Sequence, residues 1–437
     1  MQQSSWADMP NPKRSLRDVT GRNSWYTFYP GFSNEFASWI LTTMTDARHE
    51  TLLDPWNGSG TTTAAAARRG MHAVGIDLNP AMVVIAKAKL LDPLDVASIR
   101  PLGTQILKAA ATYRSTTFLD GEPLHMLFAQ EGASALRALE RSVRALLVDV
   151  QNAPSVPIQN TVNRMSPLAA FFYVALFRTA KNILQAFTGT NPVWTKLNVP
   201  GRSKPRPAHG RIWETFSGEI ETMLVSEREG RPLARAIAPA VLVSVGTSTN
   251  LAVPDASVHL TLSSPPYCTR VDYAVATLPE LSILGLRRDS SFDELRRKLL
   301  GTTTVPQQCD PINPSWGRTC TRFLHAIKNH SSKASDGYYL KGHVSYFSDL
   351  FNSLQELKRV AVPGGKAVLV VQDSHYKELH NDLPRIIVEM AAACGFSHLA
   401  SRHFPLTRLL AASNPRVRQY RPIGVTATES VIVLGAQ

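Results

Sequence analysis

Residues 50–77 read ETLLDPWNGSGTTTAAAARRGMHAVGID. ETLLD has the apolar, extended character of a buried strand and ends at Asp54. Pro55-Trp56-Asn57-Gly58-Ser59-Gly60 breaks it, because proline fixes φ and the glycines admit conformations closed to other residues. After Thr61-Thr62, Thr63 to Arg69 (TAAAARR) is rich in alanine and reads as a helix, which Gly70 closes. HAVGID is a second strand ending at Asp77, and NPAMVVIAKAKLL is a second helix. The pattern is a β-α-β unit with a glycine-rich first turn.

That turn limits the ligand. Gly58 and Gly60 let the backbone come close to a bound group, and the helix start beyond them favours an anionic one. Asp77, at the tip of the next strand, is placed to hold the two hydroxyls of a ribose. A dinucleotide fingerprint wants a third glycine where Thr63 stands, and a phosphate-binding loop wants a lysine that is absent. Asp54 repels a pyrophosphate but accepts from an ammonium group. A ligand with an amino-acid end and a ribose fits both carboxylates: S-adenosyl-L-methionine. The plainer reading is a tight turn with no ligand.

Upstream, residues 1–23 are polar and proline-containing and read as a flexible arm. Trp25 to Ile40 (WYTFYPGFSNEFASWI) holds an aromatic cluster and a Pro30-Gly31 turn, then Ser33 as the N-cap of a helix reaching about Thr43. Downstream, residues 93–239 interrupt the α/β rhythm. Leu102–Tyr113, Ala133–Val150 and Pro167–Phe187 look helical, and KLNVPGRSKPRPAHGR, residues 196–211, reads as an exposed basic loop. Its Lys196, Arg202, Lys204, Arg206 and Arg211 are candidates for phosphate contacts, against the alternative of a solvated loop. The α/β pattern resumes at residue 240 with VLVSVG and VHLTLSS. Residues 287–345 read as irregular, Phe347–Ala361 as a helix stopped by Pro363-Gly364-Gly365, and KAVLVVQD, SHLASRHFPL and ESVIVLGA as strands.

The strand VHLTL delivers Ser263-Ser264-Pro265-Pro266-Tyr267-Cys268-Thr269-Arg270-Val271-Asp272-Tyr273. Two prolines straight after a strand stop its ladder and leave the Pro265 carbonyl free at the strand's C-terminal edge, where ligands bind in open α/β sheets. A carbonyl, the Ser264 hydroxyl and the Tyr267 ring suit a flat substrate with an exocyclic amine. The oxygens accept from NH2 while the ring stacks on the base. The plainer reading is a Pro-Pro turn with a packing tyrosine.

The chain has 437 residues and a formal net charge of +13, with 47 basic against 34 acidic side chains. The excess favours a polyanionic partner such as nucleic acid. No run of about 18 apolar residues marks a membrane span, and the polar N-terminus lacks a signal-peptide pattern, so the expected location is cytoplasmic. The cysteines Cys268, Cys309, Cys320 and Cys394 have no CxxC spacing and the histidines are scattered, so no metal site is expected.

DPWNGSGTT, GIDLNP with Asp77, and SSPPY after an apolar strand together resemble the signatures of the amino-group DNA methyltransferases. WYTFYPGF resembles the segment that closes over their cofactor, and AVPGGKAVLVVQDS the helix-turn-strand after their catalytic motif. The resemblance covers roughly residues 24–92 and 240–437, which it implies form the catalytic domain, with 93–239 as a helical insertion that recognises the target. It implies an α/β fold: a Rossmann-like class I methyltransferase sheet with helices on both faces. It implies S-adenosyl-L-methionine as cofactor, held by Asp54, Pro55, Gly58, Gly60, Thr61 and Asp77 with Tyr29 and Phe32. It implies catalysis by Ser264, Pro265, Pro266 and Tyr267 on a flipped base, with DNA as partner and a restriction or defence-system protein as a further one. Two departures stand out. The loop after the third strand, Gly246-Thr247-Ser248-Thr249, lacks the acidic residue these enzymes often place near the adenine. Ser264 stands where many adenine-modifying members have Asp or Asn, which favours N4 of cytosine over N6 of adenine. No Pro-Cys pair is present for a C5-cytosine mechanism. Arg270 and Asp272 either orient the catalytic loop, touch DNA, or form an internal salt bridge. An RNA base N-methyltransferase, a small-molecule N-methyltransferase and a non-catalytic nucleic-acid binder on the same fold remain alternatives.

Overall fold

The computed structural model describes residues 4–14, 19–27, 31–45, 50–113, 121–148, 158–185, 203–229, 241–268, 271–288, 290–306, 308, 310–406 and 427–437. After a single turn, α1 (Ser4–Ala7), come α2 (Asn34–Met44), β1 (Thr51–Asp54), α3 (Thr61–Arg69), β2 (His72–Asp77) and α4 (Pro80–Ala88). Local chemistry fixes their ends. The Ser33 hydroxyl accepts from the Phe36 N–H to start α2. Gly70 closes α3 in the left-handed conformation, where only glycine is free of strain. The Asn79 side chain accepts from the Ala81 N–H, and Pro80 fills the first position of α4, whose N–H would have no partner.

Next come α5 (Ile99–Thr112), α6 (Gln130–Leu147), α7 (Ile158–Arg164), α8 (Pro167–Leu184) and α9 (His209–Glu229). The sheet resumes with β3 (Val241–Val245) and β4 (Val258–Ser263), followed by α10 (Tyr273–Ala276), α11 (Leu278–Ile283), α12 (Ser291–Lys298), α13 (Gly317–Lys328) and α14 (Leu340–Val360). Finally come β5 (Ala361–Gln372), the hairpin β6 (Ser374–Tyr376) and β7 (Leu379–Asn381), α15 (Leu383–Ala393), β8 (Phe396–Pro405) and β9 (Thr428–Ala436).

Seven strands form one sheet in the order β3-β2-β1-β4-β5-β9-β8. β3, β2, β1, β4 and β5 run parallel, and β9 enters antiparallel between β5 and β8. The fold is Rossmann-like α/β. The pleat sends alternate residues to opposite faces. Leu52, Ala73, Leu260, Val368 and Val370 pack with α2 and α3 on one face. Leu53, Ile76, Ala367, Leu369 and Val371 pack with α13, α14 and α15 on the other. The chain begins in the middle of the sheet, moves outward through β2 and β3, then returns to the other side of β1 as β4. The strand order therefore reverses between β1 and β4, where open α/β sheets hold ligands.

Several expectations need correction. The described part of the N-terminal arm is tied down: Met9 is 3% exposed, and the Ser33 N–H donates to the Pro12 carbonyl. The Arg22 guanidinium pairs with Glu227 and donates to the carbonyls of Lys89 and Leu91. A guanidinium has five donors, so one side chain fastens this segment to both α9 and the end of α4. The stretch read as a loop up to Arg211 gives way at His209 to a 21-residue helix. Residues 287–345 contain α12, α13 and the first turns of α14 rather than irregular chain. Pro363-Gly364-Gly365 lies inside β5 instead of ending the preceding helix. The helices inserted between β2 and β3 pack onto the sheet unit: α5, α6, α8 and α9 share a single apolar core with α4 and with Val243 of β3.

Candidate active site

Both sequence motifs line one cleft, with an empty volume of about 1120 Å³ out to its open mouth. It sits at the C-terminal edge of the sheet, over β1, β2, β3 and β4. Of the residues expected from the sequence, Phe32, Asp54, Pro55, Gly58, Thr61, Asp77, Ser264, Pro265, Pro266 and Tyr267 line it.

The turn after β1 is organised from within. The Asn57 N–H donates to the Ile76 carbonyl of β2 at 2.9 Å, and the Gly60 N–H to the Asn57 carbonyl at 2.8 Å. The Thr63 hydroxyl donates to the Asn57 side-chain oxygen at 3.1 Å. Gly58 has φ +47°, and a Cβ there would meet nothing closer than 3.9 Å, so its face is open to the cleft. Gly60 serves otherwise than expected. It does not line the cleft; a Cβ there would stand 2.7 Å from the Ala86 Cβ, so its bareness lets α3 start against α4.

Two carboxylates face this turn, Asp54 buried and Asp77 half-buried. Asp77 accepts from the Gly58 N–H and the Asn79 N–H, both at 2.8 Å. Burial pushes its pKa up to about 6 against the pull of those two bonds. Asp54, 3% exposed, accepts from the Trp56 N–H at 3.2 Å and from the Ser263 hydroxyl. Burial raises it to about 6 as well, opposed by those hydrogen bonds and assisted by the charge of Asp77. Each carboxylate oxygen can accept more than one hydrogen bond, so both groups keep capacity for a ligand. The Ser263–Asp54 bond ties the last residue of β4 to the last residue of β1.

The turn after β4 is held from outside. The Pro266 carbonyl accepts from the buried Tyr346 hydroxyl of α14 at 3.0 Å, and the Tyr267 N–H donates to the Tyr273 hydroxyl at 3.3 Å. Gly301, at φ +76°, presses against the Tyr267 carbonyl, which would lie 2.4 Å from any Cβ at that position. Among the described residues nothing donates to the Pro265 carbonyl or bonds the Ser264 hydroxyl. Asp272 caps α10 through the Val275 N–H and accepts from Arg296 at 2.6 Å and from the Thr303 hydroxyl at 2.8 Å. It forms the internal salt bridge, with Arg296 as its partner.

The third-strand loop also reaches the cleft. The Gly246 N–H donates to the Asp77 carbonyl at 3.1 Å. The hydroxyls of Thr247 and Thr249 lie 2.8 Å apart, and Ser248 bonds Ser353 of α14 at 2.8 Å. Lys298, Leu299, Leu300 and Asp349 line the cleft as well. The sequence reading missed Tyr273, Gly301, Tyr346 and Asp349. Only the spacing of Tyr346 and Asp349 on one helical stripe offered a signal.

Tyr29, Lys196, Arg202 and Arg270 lie outside the described residues. Lys204 donates to the His125 carbonyl at 2.5 Å. Arg206 and Arg211 are exposed, Arg211 on the first turn of α9. None of these three lines the cleft. Among the described residues no group of three His, Cys, Asp or Glu side chains could hold a metal, and no helix is long and apolar enough to cross a membrane.

No family model matches the chain. By sequence it is 20% identical over 376 residues to the Type II methyltransferase M.BsoBI of Geobacillus stearothermophilus, covering 82% of this chain and 69% of that protein. It is 21% identical over 435 residues to the Type II methyltransferase M.MvaI of Kocuria varians, covering 93% and 88%. Among solved structures, a SAM-dependent methyltransferase of Methanosarcina mazei superposes with TM-score 0.31 at 9% identity, over 91% of this chain and 96% of that one. A Thermus thermophilus protein assigned as a DNA modification methylase, solved with S-adenosyl-L-methionine, gives TM-score 0.23 at 18% identity, over 42% and 50%. The fold assignment rests on strand order and register, not on these superpositions.

Proposed function

We propose that this protein is an S-adenosyl-L-methionine-dependent DNA methyltransferase that modifies an exocyclic amine, N4 of cytosine in preference to N6 of adenine. One observation carries the reading. Two hydrogen-bond acceptors without partners among the described residues, the Ser264 hydroxyl and the Pro265 carbonyl, open onto the same cleft as the two carboxylates at the ends of β1 and β2. The Type II methyltransferase relatives and the SSPPY and DPWNGSG motifs support it. The net charge of +13 supports a nucleic-acid substrate.

The residues present fit the cofactor. Asp54 suits its ammonium, Asp77 its ribose hydroxyls, and the bare face of Gly58 admits close approach. When bound, the cofactor supplies a methyl group made electrophilic by the positive charge on sulfur. The protein's part is positioning. A base amine conjugated to its ring is a poor nucleophile, and the base must leave the stack at a cost of a few kcal/mol. Tyr267 stacks on it. Ser264 and Pro265 accept from the NH2, which draws the nitrogen lone pair out of conjugation and fixes its direction. Tyr346 and Gly301 hold the loop in place. Catalysis is then mostly orientation in a dry site, with no covalent enzyme intermediate.

Mass spectrometry of nucleosides from DNA of cells expressing the protein, beside a Pro265→Ala/Tyr267→Ala double variant, tests this. N4-methylcytosine above the control is the expected result. N6-methyladenine would keep the enzyme class and overturn the base assignment. Neither mark, with the protein expressed, would overturn the DNA reading and direct the same assay to RNA.

A further inference from the structure

α14 carries three polar side chains on one stripe, at spacings of three and four residues. At the top, the Tyr346 hydroxyl reaches the Pro266 carbonyl of the catalytic turn. Two turns below, the Ser353 hydroxyl bonds Ser248 in the third-strand loop and the Asp349 carbonyl above it at 2.7 Å. Asp349 stands between them and lines the cleft. Its carboxylate has no hydrogen bond or ion pair among the described residues. Tyr346 and Ser353 fasten the helix to the protein on either side, so this one side chain is left to face the ligand.

The inference rests on the cofactor reading above. The third-strand loop abuts Asp77 through the Gly246 N–H and lines the cleft beside it, so the base of a ribose held by Asp77 has this loop within reach. The edge of an adenine carries an amine, and a donor that leaves water needs an acceptor. The loop's own hydroxyls are engaged, Thr247 with Thr249 and Ser248 with Ser353. We infer that Asp349 accepts the hydrogen bond from the exocyclic amine of the cofactor's adenine, supplying from α14 the acidic group that the Gly246–Thr249 loop lacks. Burial, with the nearby charge of Asp310, pushes this carboxyl up to about 6. It is therefore ionised and accepting at pH 8.

The test is calorimetric titration at pH 8 with S-adenosyl-L-homocysteine and with its analogue whose purine lacks the exocyclic amine, against wild type and Asp349→Ala. Alanine suits the helix and removes a carboxylate with no partner among the described residues, so the variant should melt no lower than wild type. Wild type should prefer the adenine form by roughly tenfold or more, the worth of a hydrogen bond to a charged group. The variant should bind both ligands alike, with the loss falling on the adenine form alone. An unchanged preference in the variant would overturn the inference while leaving the cofactor reading intact. So would an unchanged preference combined with lost methylation, which would place Asp349 on the target base. If wild type bound neither ligand, the cofactor reading would fail and this inference with it.

Discussion

The turn after β1 and the turn after β4 face each other across one cleft and are built in opposite ways. The first closes on itself. Its amides and side chains bond one another or the neighbouring strand tip, and loss of solvent raises its two carboxylates to a pKa of about 6. The second is braced by residues from elsewhere, Tyr346, Tyr273 and Gly301, and presents two acceptors to the cleft. A self-contained turn couples binding to folding. An externally braced turn leaves its acceptors without partners among the described residues, as the proposed bonding of a substrate's amine would require.

Breaking the first turn should have the largest effect. Gly60→Ala adds left-handed strain and a clash with Ala86, expected to cost about 2–5 kcal/mol of stability. Cofactor binding should go with it; urea unfolding beside a binding isotherm measures both. Asp54→Asn separates the two properties. Its folded pKa of about 6 exceeds the ordinary 3.8, so the folded state holds the proton more tightly. Wild-type stability therefore falls between about pH 4 and pH 6 and stays low above it. The variant lacks this contribution and should be up to roughly 3 kcal/mol more stable than wild type at pH 7, by 1.36 kcal/mol per pKa unit, and no more stable at pH 3. Its cofactor affinity should drop. Equal pH profiles in denaturant titrations would refute the buried-charge account.

The braced turn should respond in turnover instead. Gly301→Ala pushes the Tyr267 carbonyl and should lower kcat by roughly a hundredfold, as ångström-scale misplacement does, with cofactor affinity retained. Tyr346→Phe removes one hydrogen bond and should cost at most about tenfold. If either variant lost cofactor affinity in proportion to rate, the division between the two turns would fall.

The same division explains what the sequence disclosed. Asp54 to Asp77 is local, with strand, turn, cap and helix all within one stretch, so the β-α-β unit could be read residue by residue. The SPPY turn was legible because two prolines after an apolar strand have few interpretations. Its braces were not, because Gly301 and Tyr346 meet it only through tertiary contact, and the three-residue spacing of Tyr346 and Asp349 says that they share a helical stripe but not that the stripe faces a cleft. α9 was overlooked although Ile212, Phe216, Ile220 and Met223 repeat at helical spacing; the basic Pro- and Gly-rich run before it drew the reading towards loop. The N-terminal arm misled because its composition is polar, while Arg22 is buried by using that polarity on Glu227 and two carbonyls.

The bond between Asp54 and Ser263 joins residues 209 apart in the chain. On a ribosome adding roughly 5–20 residues per second, the second partner emerges some tens of seconds at most after the first. In that interval β1, β2 and α3 can assemble with a half-built ligand edge, and the intervening helices must find their places before β4 arrives. Closing so long a loop is entropically slow. The cleft is lined by residues from Gly31 to Asp349, so a nascent chain cannot complete it before that much of its C-terminal half has emerged.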